Sequence, residues 1–302
     1  MSGSTQIPLT KRATTVKEQV QKFRDRQLII NNDQVAEEFL ERVSYYRLSG
    51  YFRQFYKHDE YEVFCQGTKF EQVTNLYLFD AELRMLLFGL IREIEISFKT
   101  HLGNKLACDH GELVWKNRSI YHSKVFVDKK TGVETLYFDT LQENLSRKIS
   151  RAKKEIFIQH HINAYSGQFP VWVLMEIIDF ADASKIYKNL KTEIKKDMKR
   201  KFYKDISHLQ LESWLEQIVK CRNICAHHGR IVGKENFKLK QHSEIKRHNA
   251  KGFFALLIVL KLISNQPLMW EDFLKKLELL IRKYEIDLEM VALPDDWKLI
   301  LK

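Results

Sequence analysis

Apolar residues recur along this chain at three- and four-residue steps over most of its length, the spacing of a helix with one buried face. The strongest stripe runs from Phe70 to Leu106, where Leu76, Phe79, Leu83, Leu87, Leu90, Ile91, Ile94 and Phe98 share a face and no proline intervenes. It predicts one long helix, kinked near Gly89. Upstream, Val16, Val20 and Phe23 mark a helix between Thr15 and Ile30. Asn31-Asn32-Asp33 interrupts it, and Asp33 is the expected cap of a second helix that starts at Gln34 and uses Val35, Phe39, Leu40 and Val43. That helix leads into Tyr45, Tyr46, Tyr51, Phe52, Phe55 and Tyr56, with Gly50 marking a bend or a close backbone approach. These aromatics suit core packing better than base stacking.

Downstream of the long stripe, Val125-Phe126-Val127 and Val133 to Phe138 flank Lys129-Lys130-Thr131-Gly132, the pattern of a small hairpin. Helical spacing returns from Asp139 to His161. Pro170 suits the first turn of the next helix. Another helix begins near Gln210, buries Leu211, Leu215, Ile218 and Val219, and ends at Gly229 as its C′ glycine. Phe253 to Ile263 is apolar all round, so that helix is central, and a last amphipathic helix spans Trp270 to Tyr284.

Only 11 glycines and 4 prolines occur in 302 residues, which disfavours a turn-rich sandwich or barrel and predicts an all-α fold. No composition shift divides the chain. We expect a flexible tail at 1–13, one helical domain at 14–286 with a peripheral insertion at about 107–138, and a C-terminal tail at 287–302. The longest strongly apolar run, Phe253 to Leu260, falls short of the ~18 residues of a membrane span, so no membrane partner is expected. Four cysteines without a disulfide pattern, and an opening segment without a secretory leader, predict reduced thiols in a cytoplasm.

The formal net charge is +11. It favours a polyanionic partner, although solubility alone also explains a basic chain. The excess is densest from Lys185 to Asp205, which holds nine Lys/Arg and three Asp/Glu. Lys195, Lys196, Lys199 and Arg200 are there the best candidates for an RNA track, against the alternative of a solvated charged face.

No P-loop, dinucleotide glycine fingerprint, H-E-x-x-H or G-x-S-x-G is present. The informative stretch is Cys221-Arg222-Asn223-Ile224-Cys225-Ala226-His227-His228-Gly229-Arg230. Asn223 and His227, four apart on a helix, share a face, so the amide is placed to orient the imidazole. Arg222 lies about 140° around the helix from His227, which favours a site shared between two copies. Guanidinium and imidazole together are what phosphodiester cleavage without a metal requires: one group moves protons and the other stabilises charge on phosphorus oxygens. The competing reading is structural, with Arg and His complementing a helix C-terminus. A zinc site from Cys221, Cys225, His227 and His228 lacks the paired knuckles that zinc sites use.

R-N-x-x-x-H followed by H-x-R, from Arg222 to Arg230, resembles the motif of HEPN-type ribonucleases. The whole chain resembles the Abi-like (abortive-infection phage-resistance) family through four ordered blocks: Val43 to Tyr51; Phe79 to Arg84 with Arg92 to Ile96; Phe169 to Glu176; and the Arg222 motif. The resemblance implies a HEPN-like helical bundle with additional N-terminal helices and a small insertion. It further implies an RNase toxin of bacterial anti-phage defence that works as a homodimer on RNA, with no metal or other cofactor. His227 would be general acid/base, Arg222 would hold the phosphate, and Asn223 would orient His227. Glu95, His228 and Arg230 are possible supporting residues; Glu95 is equally suited to a salt bridge with Arg92 or Lys99. Where the family often has Arg, this chain has Lys99, which lacks the bidentate fork. A neutralising antitoxin or a regulatory RNA is a further implied partner. The alternative is a non-catalytic RNA-binding or partner-binding module of a phage-defence or toxin-antitoxin system.

Overall fold

Thr15 opens the first helix, α1 (Val16–Asp25), through a reciprocal cap with Glu18. The computed structural model describes residues 12–302 apart from 59, 61, 128–131, 133, 234–236 and 265. Helix α2 (Asp33–Arg42) is capped by Asn32, whose side chain accepts from the Val35 amide at 3.2 Å. Asp33, expected as the cap, is instead the first helical residue, and its carboxylate pairs with Arg24. Val35 faces solvent, and Ala36 and Leu40 are buried in its place. Helix α3 (Tyr45–Phe52) passes through Gly50 without a bend. Of the aromatic cluster, Tyr51, Phe52 and Phe55 are buried, Tyr45 and Tyr56 pack against Phe52, and Tyr46 alone is left largely in water.

The long stripe becomes α4 (Phe70–His110), 41 residues that remain helical through Gly89. One face of it buries every residue of the predicted stripe. After it comes the predicted hairpin, reduced to β1 (Val125–Val127) paired antiparallel with β2 (Glu134–Leu136). Most of its expected turn, including Lys129 to Thr131, lies outside the described residues. The single helix predicted from Asp139 to His161 is two, α5 (Tyr137–Arg151) and α6 (Ile156–Ala164). Their buried anchors explain the break. On one continuous helix Ile158 would lie about 140° around from Leu145, so the chain turns at Ala152 to bury both.

The helices that follow are α7 (Val171–Ile177), α8 (Phe180–Asn189), α9 (Thr192–Phe202), α10 (His208–Ala226), α11 (Ser243–Arg247), α12 (Gly252–Ser264), α13 (Pro267–Lys283) and α14 (Trp297–Leu301). The fold is all-α, with the hairpin its only strand pair among the described residues. Helix α4 is the central strut: α3, α7, α8, α9, α10, α12 and α13 all pack on it. Against Gly103 the approach of α7 is so close that a Cβ there would sit 2.9 Å from Met175 Cγ. Helix α12 is buried along nearly its whole length, as its composition requires. The segment 287–302 is not a loose tail. Trp297 and Leu301 are buried, and the Trp270 indole donates to the Leu301 carbonyl at 2.7 Å.

Candidate functional site

Helix α10 carries the Arg222 motif at its C-terminal end. Ser207 and Gln210 start the helix with a reciprocal cap. Leu211, Trp214, Leu215, Ile218, Cys221 and Cys225 bury one face, which seats the helix on α4 and α8 and brings its end beside the middle of α4.

The helix stops one residue earlier than its glycine predicts. His227 is the C-cap, and His228 takes the left-handed position with φ +55°. The His228 amide donates to Cys225 O at 3.3 Å and the Gly229 amide to Ile224 O at 2.7 Å, the two bonds of a Schellman ending. A Cβ on Gly229 would lie 3.1 Å from Ile224 Cγ2, tighter than an ordinary contact, so a side chain there would press on Ile224. The left-handed turn falls on a histidine, where it carries a steric cost.

Arg222 lies half-buried against two residues of α4 that are two turns apart. Its guanidinium sits 5.5 Å above the Phe88 ring, and its Nε is 3.9 Å from Glu95 Oε2. Glu95 faces Arg222, while Arg92 pairs with Glu93 at 2.7 Å and Lys99 donates to the Ile178 carbonyl at 2.9 Å. At 3.9 Å the pair is Coulombic and leaves guanidinium N–H groups free. Asn223 accepts from Arg222 at 3.5 Å, too long to be strong. No bond between the Asn223 and His227 side chains occurs among the described residues, and none joins Arg222 to His227. The His227 ring stands in solvent.

Just beyond the motif, the backbone is anchored by a buried charge cluster whose members carried no assigned role in the sequence. Asp80, fully buried on α4, accepts from the Ile231 and Val232 amides at 3.0 and 2.8 Å, from the Tyr51 hydroxyl at 2.6 Å, and from Arg84. Burial pushes the Asp80 carboxyl up, and these donors oppose the shift. Burial and Asp80 together push the Tyr51 phenol up. Arg230 lies 5.8 Å over the Tyr51 ring. A second clasp is Arg47 on α3, which donates to the His228 carbonyl at 2.8 Å and to the Tyr77 hydroxyl at 3.2 Å. One signal for the buried cluster was present in the sequence: Asp80 and Arg84, four apart, interrupt the apolar stripe of α4.

The basic run is mostly committed to the protein itself. Lys195 is buried, its ammonium held by Glu212 at 2.8 Å and by the Lys188 carbonyl at 3.1 Å, so it cannot join an RNA track. Lys196 pairs with Glu193 at 3.3 Å, Arg200 pairs with Asp197, and Lys199 is half-buried on the same helix. The zinc alternative does not assemble: among the described residues no group of three or more His, Cys, Asp and Glu is placed to hold a metal ion. Cys221 and Cys225 are core residues, and the bond to Cys225 together with burial pushes the Cys221 thiol up.

The arrangement is therefore an all-helical body presenting an arginine–histidine helix end beside a buried carboxylate anchor. A family model described as Abi-like protein matches residues 38–232, more than half of the chain, and the chain belongs to the Abi-like family. That span takes in the Asp80 anchor, Glu95 and the whole Arg222 motif. Membership points to a role in phage resistance. No curated protein and no solved structure matches the chain. Among the described residues no helix is long and apolar enough to cross a membrane.

Proposed function

We propose that this chain is a HEPN-type endoribonuclease acting as a toxin in anti-phage defence. One observation carries the reading. Arg222 is held over Phe88 and against Glu95 with donors to spare, while His227 on the same helix end is left in water with no hydrogen-bonded partner among the described residues. Both groups are held ready for something outside the chain. His227 takes the proton of an RNA 2′-OH as its oxygen bonds to the adjacent phosphorus. Arg222 stabilises the charge that builds on the phosphoryl oxygens. The bond from phosphorus to the 5′-oxygen breaks, the imidazolium gives its proton to that oxygen, and the products are a 2′,3′-cyclic phosphate and a 5′-OH.

The two groups do not meet within one chain, so two copies complete the site across a two-fold axis. Ile96, 52% exposed next to Glu95, offers apolar surface to the second copy. Asn223, lying beside Arg222, orients groups at that junction.

Purified protein incubated with cellular RNA in EDTA is the test. The expected result is fragments ending in 2′,3′-cyclic phosphate, with the rate lowered about 10²–10⁴-fold in His227→Ala. RNA that is bound but never cut would replace this reading with a non-catalytic RNA-binding module.

A further inference from the structure

We infer that the cleft between α4 and the α2–α3 corner is the track for the RNA strand that flanks the cut phosphate, with Arg47 gripping a neighbouring phosphate and Met85 and Phe88 forming the face on which a base lies. This inference rests on the ribonuclease reading above and specifies where its substrate runs.

The cleft has a volume of about 740 Å³ and is lined chiefly by Arg42, Arg47, Tyr77, Met85, Phe88 and His228. That size is within the range of small-molecule sites, roughly 300–1,000 Å³. Among the described residues no aspartate or glutamate lines it, although the chain carries 39 of them. The cleft adjoins the candidate site: of its lining residues, Phe88 is the ring beneath Arg222, and His228 follows His227 directly.

Arg47 carries no assigned role in the sequence reading. It is exposed, and no ion pair neutralises it among the described residues. Its fixed partners are neutral: the Tyr77 hydroxyl, the His228 carbonyl, and the Tyr77 ring at 5.6 Å. A guanidinium held in place by neutral groups keeps its full charge and still has N–H donors, the requirement for gripping a phosphate in a fixed direction. Arg42 adds a second cation with no ion pair among the described residues; its Nε donates to the Glu38 carbonyl at 3.4 Å. Met85, which lines the same cleft, is 76% exposed, an adaptable apolar surface beside the half-buried Phe88 ring. A cationic rim around an apolar and aromatic floor fits a single nucleic-acid strand, whose phosphates and bases want those two surfaces.

Gly89 provides a plug. It lines the cleft, and beyond its own turn of helix no heavy atom of the described residues lies within 4 Å of a Cβ built there. Gly89→Leu therefore starts a bulky side chain from open space beside the cleft, and leucine is the better helix former.

The experiment uses the full chain and a fluorescent single-stranded RNA oligonucleotide. A 2′-O-methyl version, which has no nucleophile, reports binding by anisotropy; the unmodified version reports kcat and KM. Arg47→Gln is expected to raise Kd and KM about tenfold and to lower the slope of log K against log salt by about 0.7. Arg47→Lys should restore the slope and only part of the affinity. Gly89→Leu should weaken binding with the slope unchanged and the light-scattering mass the same as the parent. Unchanged Kd and salt slope in both Arg47→Gln and Gly89→Leu would overturn the track. If the parent still cuts RNA in that case, the ribonuclease reading survives without it. If the parent cuts nothing, that reading falls and the anisotropy result alone decides the cleft. A drop in mass for Gly89→Leu would make this face a contact between copies and overturn the proposal.

Discussion

Two neighbouring stretches of α4 face the end of α10, and they treat charge in opposite ways. Around Asp80 and Arg84 every carboxylate oxygen has a donor, water is excluded, and two of the donors are backbone amides from the segment after the motif. Two to four turns further along, around Phe88 and Glu95, Arg222 is held by a ring face and by a carboxylate 3.9 Å away, and part of it stays in solvent. The first stretch fixes where the backbone goes. The second leaves a charged side chain available. Rigid backbone beneath under-committed side chains is the division of labour a preorganised site requires.

The comparison breaks most sharply if function and stability fail to separate. His227→Ala should lower RNA cleavage about 10²–10⁴-fold while the free energy of unfolding in urea stays within about 0.5 kcal/mol of the parent. Equal losses in both would place His227 in the structural stretch instead. Asp80→Ala is the converse. It strands Arg84 without a counter-charge and frees two amides, so unfolding should be easier by about 3–5 kcal/mol. The double variant Asp80→Leu with Arg84→Met should recover much of that, because the penalty comes from the unpaired charge rather than from the worth of the pair. His228→Gly probes the turn between the two stretches. Removing the left-handed strain should raise stability by about 0.5–1 kcal/mol, the strain relieved less the entropy of a glycine. A loss there would show that the His228 side chain contributes more than its backbone costs.

The smallest effect lies further along α4, at His101. Its ring stacks on Phe202 with centroids 4.0 Å apart, and its Nδ1 is 3.1 Å from the Tyr203 hydroxyl. Burial, and then the Lys201 charge, push its pKa below the ordinary 6.5. The folded state therefore binds fewer protons than the unfolded chain as pH falls. His101 costs nothing above its ordinary pKa, and stability drops as pH falls through that value toward the folded one. His101→Phe keeps the stack and removes the proton, so its melting temperature should vary less than the parent's between pH 7 and 5.

Some of this was legible in the sequence because helical periodicity is local. The stripe from Leu76 to Phe98 named the buried face of α4, and the run from Phe253 to Ile263 announced a central helix. The misreadings were also local and have local causes. Asn32 rather than Asp33 caps α2 because the extended backbone ends one residue earlier. The helix read through His161 breaks because Leu145 and Ile158 cannot both face inward along one axis. His228 rather than Gly229 takes the left-handed turn because the helix already ends with His227 as its C-cap.

Local periodicity thus determined which faces are buried, that the fold is all-α, and that Arg222, Asn223 and His227 share one helix end. Tertiary packing decided what those residues touch. Arg47 reaches the His228 carbonyl across 181 positions, and Asp80 collects amides from 151 and 152 positions away. Glu95 turned to Arg222 rather than to Arg92 or Lys99, and Lys195 was drawn inward to Glu212. A charge's partner depends on which helices cross and where. Residue spacing along one helix sets the face a side chain occupies, and it carries no information on the distance to a carboxylate on another.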